Sequence, residues 1–156
     1  MADVTLVEVP TQTVIGIKRM GRFSDIPVAL GELVQYAMAN GGEIVGAPVA
    51  LYYEAGKEEI EKANREGTAV IDVNFPIAKP IRGSEKVRVY ELQGGKMAKI
   101  VHKGPYEACE PAYNTLMQWI AANGKNVTGP VREVYPNDPR AVPPEEILTE
   151  IYAPVA

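Results

Sequence analysis

GRFSDIPVALGELVQYAMANGGEIVGAPVALYY, residues 21–53, returns later in the chain as GPYEACEPAYNTLMQWIAANGKNVTGPVREVY, residues 104–135. An offset of 83 pairs Gly21 with Gly104, Ala29 with Ala112, Leu33 with Leu116, Gln35 with Gln118, Asn40 with Asn123, Gly41 with Gly124 and Gly46 with Gly129. One residue is then expected to drop out, so that Pro48 matches Pro130 and Tyr53 matches Tyr135 at an offset of 82. The two halves also close alike, VIDVNFPIA from Val70 against LTEIYAPVA from Leu148. Two copies make a two-fold duplication and not a solenoid. The expectation is one domain over residues 1–156 built from two repeats, about 3–78 and 86–156.

Each copy reads strand, strand, helix, strand, strand. In the helices Ala29, Leu33, Tyr36 and Ala37 keep the spacing of a core-facing stripe, and Ala112, Leu116, Trp119 and Ile120 repeat it. Ser24 is the expected N-cap of the first helix, Pro27 and Pro111 suit first turns, and Asn-Gly after Ala39 and Ala122 suits left-handed C-terminal caps. In the closing strand Asp72 and Asn74 read as outward and Ile71, Val73 and Phe75 as inward. RVYELQGGKMAKIVHK, residues 88–103, reads as a hairpin through Gly94 and Gly95. Lys57 to Glu66 mixes both charges at helical spacing and reads as a solvated helix face. Antiparallel strands with helices on one side give an α+β fold.

Composition excludes several functions. The 156 residues are 46% hydrophobic and 23% charged, ordinary for a globular protein. No apolar run approaches the ~20 residues that span a bilayer, and no secretory leader is visible, so a cytoplasmic location is expected. The single Cys109 agrees with a reducing compartment. A net charge of −4 without Lys/Arg clusters argues against a nucleic-acid surface. No Cys/His cluster suggests a metal, and no glycine-rich phosphate loop suggests a nucleotide, so no cofactor is expected.

One carboxylate stands out. In GPVREVY alternation puts Val131, Glu133 and Tyr135 on one side of a strand and Arg132 and Val134 on the other. A charge between apolar and aromatic neighbours costs several kcal/mol unless partnered. At an offset of 82 the sister strand carries Leu51 where this one carries Glu133. The functional reading is a pocket carboxylate. The alternative is a side chain that reaches water at a strand end or pairs with Arg132, Arg140 or His102. Eight Tyr against two Phe and one Trp add rings that stack on flat ligands and carry a polar handle. His102 reads as a strand-end polar residue and Cys109 as a plain thiol.

The motifs HKGPYE at His102–Glu107, Trp119, ANG at Ala122–Gly124, GPVREVYPNDP at Gly129–Pro139 and the closing TEIYAPV resemble the GyrI-like small-molecule-binding family, also described as the effector-binding domain of BmrR-type bacterial transcription activators. The resemblance covers nearly the whole chain. It implies a pseudo-two-fold pair of strand-helix-strand-strand modules with a ligand cleft between the copies. It also implies capture of lipophilic, often cationic or aromatic compounds through the glutamate of an E-x-Y strand and surrounding aromatics, here Glu133 with Tyr135; Tyr106, Tyr53 and Trp119 are the further candidate ligand-binding rings of this sequence. Because the fold begins by Val4, the chain resembles stand-alone members, and direct DNA binding is not expected. Two other functions stay open. Some relatives look like hydrolases that open the cyclopropane ring of DNA-alkylating natural products, with Glu133 as general acid or base. The family's namesake is associated with protecting DNA gyrase, although no peptide-binding signature supports gyrase as a partner here.

Overall fold

The computed structural model describes residues 3–54 and 56–156. Chain order is β1 (Thr5–Val9), β2 (Gln12–Gly21), α1 (Ile26–Ala39), β3 (Val49–Tyr52), α2 (Lys57–Glu66), β4 (Ala69–Pro76), β5 (Arg88–Leu92), β6 (Gly95–Lys103), α3 (Glu110–Ala122), β7 (Val131–Val134) and β8 (Leu148–Pro154). The α+β class with antiparallel strands is as expected. Two compact units form, one from Thr11–Gln93 and the other from Gly94–Ala156 together with the N-terminal residues up to Pro10. The first unit orders its strands β5-β2-β4-β3 and the second β1-β6-β8-β7, every pair antiparallel.

The helices form as their patterns require. α1 carries Pro27 in its first turn and buries Ala29, Leu33 and Ala37, one residue per turn along one stripe. α3 buries Leu116 and Ile120 against Ala98, Ile100, Ile151 and Ala153. Each buried Leu or Ile contributes about 1.5–3 kcal/mol by leaving water, and each Ala less. Both helices stop the same way: the Asn40 and Asn123 amides donate back to the carbonyls of Tyr36 and Trp119 at 2.9 and 2.8 Å. Gly41 and Gly124 then turn the chain at φ 71° and 66°, a conformation that glycine adopts without steric cost. The start of α1 differs from expectation. Ser24 lies inside a 3-10 turn, Phe23–Asp25, that feeds the helix, and Asp25 accepts the Arg22 N–H at 2.9 Å.

Three strand-level expectations are corrected. β5 and β6 are not a hairpin: β5 pairs with β2, placing Val89 opposite Ile15, whereas β6 pairs with β1 and β8. Adjacent strands in sequence with a glycine between them suit a hairpin locally, but each strand finds its apolar partners elsewhere. Asp72 and Asn74 do not face out, being 3% and 0% exposed. Both faces of β4 are covered, so alternation there marks polarity and not exposure. The third correction concerns the repeat itself. Isolated bridges join Ile44 to Ile77 and Val127 to Val155, so positions 44 and 127 correspond at an offset of 83, and 77 and 155 at 78. Val73 therefore corresponds to Ile151. Opposite Val73 lies Ala50, and opposite Ile151 lies Glu133. The offset of 83 runs on without a deletion, and Ala50, not Leu51, is the counterpart of Glu133.

Candidate functional site

Glu133 lies on β7 directly across from Ile151, a fully buried member of the core that α3 covers. Its side chain is thus on the helix-facing side of the sheet, and the residue is 9% exposed. Two phenols hold the carboxylate. Tyr135, just past the end of β7, donates to Oε1 at 3.0 Å, and Tyr113 on α3 donates to Oε2. Tyr106, in the short 3-10 turn Tyr106–Ala108 before α3, packs edge-on against Tyr135 with ring centroids 5.4 Å apart and planes at 69°. Edge-to-face pairs of this kind gain about 0.5–1.5 kcal/mol beyond their buried area.

The charge is felt by its neighbours. Burial, then the negative Glu133, pushes the Cys109 thiol up to about 12, partly offset by the nearby Thr149 side chain. Burial raises the Tyr106 phenol as well, with Asp138 and then Glu133 adding to the effect. Two of the alternative partners for Glu133 have other contacts. Arg140 pairs with Asp138 at 2.9 Å and holds that carboxyl below its usual range, while His102 Nε2 meets the Pro105 carbonyl at 2.9 Å. Arg132 lies opposite Tyr152, on the other face of β7 from Glu133. Glu150 is opposite Val134 and accepts from Tyr152 at 2.9 Å on that same far face.

Glu133, Tyr135 and Tyr106 therefore come together. Trp119, half-buried, packs against the core that α3 covers, as Tyr113 and Val131 also do. Tyr53 belongs to the other unit, where its hydroxyl donates to Asp72 at 2.5 Å and Lys18 sits 4.7 Å from the centre of its ring. The residue that sequence reasoning missed is Tyr113. A signal existed: the offset of 83 pairs it with Leu30, as it pairs Glu133 with Ala50, Tyr106 with Phe23 and Tyr135 with Tyr52. The first unit keeps an aromatic pair at these positions, Phe23 and Tyr52 at 5.7 Å. A phenol and an acid have entered one copy together where the other keeps two apolar side chains, as a buried charge with its donor must.

The fold has counterparts among known proteins. The description that matches is the GyrI-like small molecule binding domain, over residues 2–156. No curated protein matches. The crystal structure of the EcmrR C-terminal domain is similar with a TM-score of 0.87 at 22% identity, covering 100% of this chain and 98% of that one. In the EcmrR–DNA complex the likeness is 0.84 at 24% identity, and this chain spans 57% of the EcmrR chain. A hydrolase from Listeria innocua gives 0.73 at 15% identity, covering 98% and 91% of the two chains. SAV2435, in a structure bound to tetraphenylphosphonium, gives 0.56 at 15% identity, covering 99% and 94%. At these identities the likeness is one of fold.

Proposed function

We propose, from the premise that this chain belongs to the GyrI-like small molecule binding domain family, that it captures lipophilic organic cations at Glu133. The observation that carries the reading is a carboxylate 9% exposed and gripped by two phenols. Phenols are neutral donors: they satisfy the oxygen lone pairs without cancelling the charge. In a site screened from water that charge attracts a cation far more strongly than it would in solvent. The rings of Tyr106 and Tyr135 add the face that a cation prefers, worth about 0.5–2 kcal/mol. Tetraphenylphosphonium, the compound bound to SAV2435, is the natural probe. Titration calorimetry should find binding, and Glu133→Gln should weaken it about 10- to 100-fold, the equivalent of roughly 1.4–2.7 kcal/mol. Equal affinity in the variant removes the carboxylate from recognition.

A second reading, hydrolysis, is favoured by the same contact, because a phenol hydrogen-bonded to a shielded carboxylate is a proton-transfer pair. Glu133 would activate water and Tyr113 supply or accept the proton. Incubation with a cyclopropane-bearing alkylating agent decides between the two. Ring-opened product formed by the wild type and lost in Glu133→Gln makes the protein an enzyme, while binding without turnover leaves it a receptor.

A further inference from the structure

Tyr106 reaches the site on a turn that the two units fasten differently. Positions 22–25 and 105–108 correspond at the offset of 83, and each stretch holds a 3-10 turn, Phe23–Asp25 and Tyr106–Ala108. In the first unit two side chains pin it. The Asp25 carboxylate accepts the Arg22 N–H at 2.9 Å, and Asn64 of α2 accepts the Phe23 N–H at 2.8 Å. The second unit can use neither fastening. Pro105 stands for Arg22 and has no N–H, Ala108 stands for Asp25 and has no carboxylate, and a 3-10 turn, Pro144–Glu146, takes the place of α2 between β7 and β8.

His102 supplies the replacement. It is the penultimate residue of β6 and lies opposite Thr149 on β8, so the sheet fixes its backbone. Its Nε2 is 2.9 Å from the Pro105 carbonyl oxygen. A carbonyl only accepts, so the ring donates from Nε2. The same oxygen takes the Ala108 N–H at 3.0 Å, the bond that closes the turn, and the two donors use its two lone pairs. Arg19, at the corresponding place in the first unit, is engaged elsewhere, with Glu32 at 2.7 Å. Tyr106 follows Pro105 directly and meets Tyr135 edge-on, and Tyr135 in turn donates to Glu133. At 37% exposure the Tyr106 ring is only partly held by its own packing. A turn fixed beforehand spares the ring part of the entropy it would otherwise lose on meeting a ligand.

We propose that His102 is a positioning residue of the cation site: through the Pro105 carbonyl it holds the Tyr106 turn, and with it the aromatic wall beside Glu133, in the geometry a ligand meets. The proposal rests on the reading of Glu133 as that site, and its test separates the two. Hydrogen exchange of the unliganded full chain reads the turn by itself. The Ala108 and Cys109 amides, which donate to the Pro105 and Tyr106 carbonyls, should exchange about tenfold faster or more in His102→Leu, while the amides of β8 keep their protection. His102→Gln, whose side-chain amide can reach the same carbonyl, should restore it. Calorimetry with tetraphenylphosphonium reads the consequence. His102→Leu should weaken binding about 3- to 10-fold, the share of a positioned ring, Tyr106→Ala should weaken it as much, and the double variant no further. His102 is the single histidine of the chain, so nitrogen NMR of the wild type in alkaline buffer reports on it alone, and the proton should sit on Nε2 and exchange slowly with water. A proton on Nδ1 overturns the proposal. So does unchanged exchange of Ala108 in His102→Leu, equal loss of protection in His102→Gln, or additive losses of affinity in the double variant. If tetraphenylphosphonium fails to bind the wild type, the reading of Glu133 falls, and exchange and NMR decide on His102.

Discussion

Tyr113→Phe removes one oxygen and tests the core of the site. The ring stays, so packing of α3 on Leu116 and its neighbours is retained, and what disappears is the hydroxyl that donates to Glu133 Oε2. A hydrogen bond to a charged group contributes about 1.5–3 kcal/mol net. At 9% exposure, water cannot readily replace the lost donor, so that range applies without an offset from solvent. A chain of this length shifts its melting temperature by roughly 2–4 °C per kcal/mol, which puts the expected loss at about 3–12 °C. The cost should not survive loss of the acceptor: in a Glu133→Ala background, Tyr113→Phe should be neutral to stabilising. A double-mutant cycle by chemical denaturation therefore should give a coupling of about 1.5–3 kcal/mol. The sister unit supplies a further check, since Leu30 and Ala50 stand at these two positions. The pair Tyr113→Leu with Glu133→Ala should be more stable than Glu133→Ala alone, because a buried phenol no longer lacks its acceptor. Additive single effects, within about 0.5 kcal/mol, would refute the claim that Tyr113 holds the carboxylate.

Other expectations follow from neighbouring geometry. Tyr135→Phe should cost less than Tyr113→Phe, about 1–2 kcal/mol by denaturation, because the bond at 3.0 Å is an ordinary one and lies at the end of β7. The Cys109 thiol, raised from near 9 to about 12, keeps its proton in the folded chain after the unfolded chain has begun to lose it. Stability from this source is therefore full below pH 9 and declines as pH rises from 9 towards 12, and melting of Cys109→Ala should show a flatter alkaline profile. Because Glu133 is the second cause of that shift, Glu133→Gln should speed alkylation of Cys109 at pH 9, measured by mass spectrometry. Gly16→Ala should lose about 1–3 kcal/mol, since a Cβ there would meet the Val73 carbonyl and the Tyr90 ring at 3.0 Å each, and the carbonyl belongs to a paired strand.

Much was legible where the information is local. The stripes Ala29–Leu33–Ala37 and Leu116–Ile120, the Asn-Gly stops and the duplicated order of elements all rest on relations within a few residues. Glu133 was visible for the same reason, as an acid on the apolar side of an alternating strand. Misreadings clustered where a distant partner decides. Matching Pro48 to Pro130 put Leu51 opposite Glu133 in the internal comparison, and only the ladder to β4 and β8 showed Ala50. Asp72 and Asn74 read as outward because polarity usually tracks exposure, yet both are buried. Tyr113 went unread because a tyrosine on a helix stripe looks like core filling until its hydroxyl has an acceptor to reach.

Sequence alone therefore settled which segments form helices and strands, that the chain is written twice, and that one copy carries an acid where apolar residues flank it. These are consequences of periods of two and 3.6 residues, which a chain displays without knowing its partners. Tertiary structure alone decided that β5 joins β2 and β6 joins β1, and that Tyr113 and Tyr135 converge on one carboxylate. Strand partners and hydrogen-bond acceptors are chosen by burial across long stretches of chain, and a one-residue difference in register exchanges every side chain between the two faces.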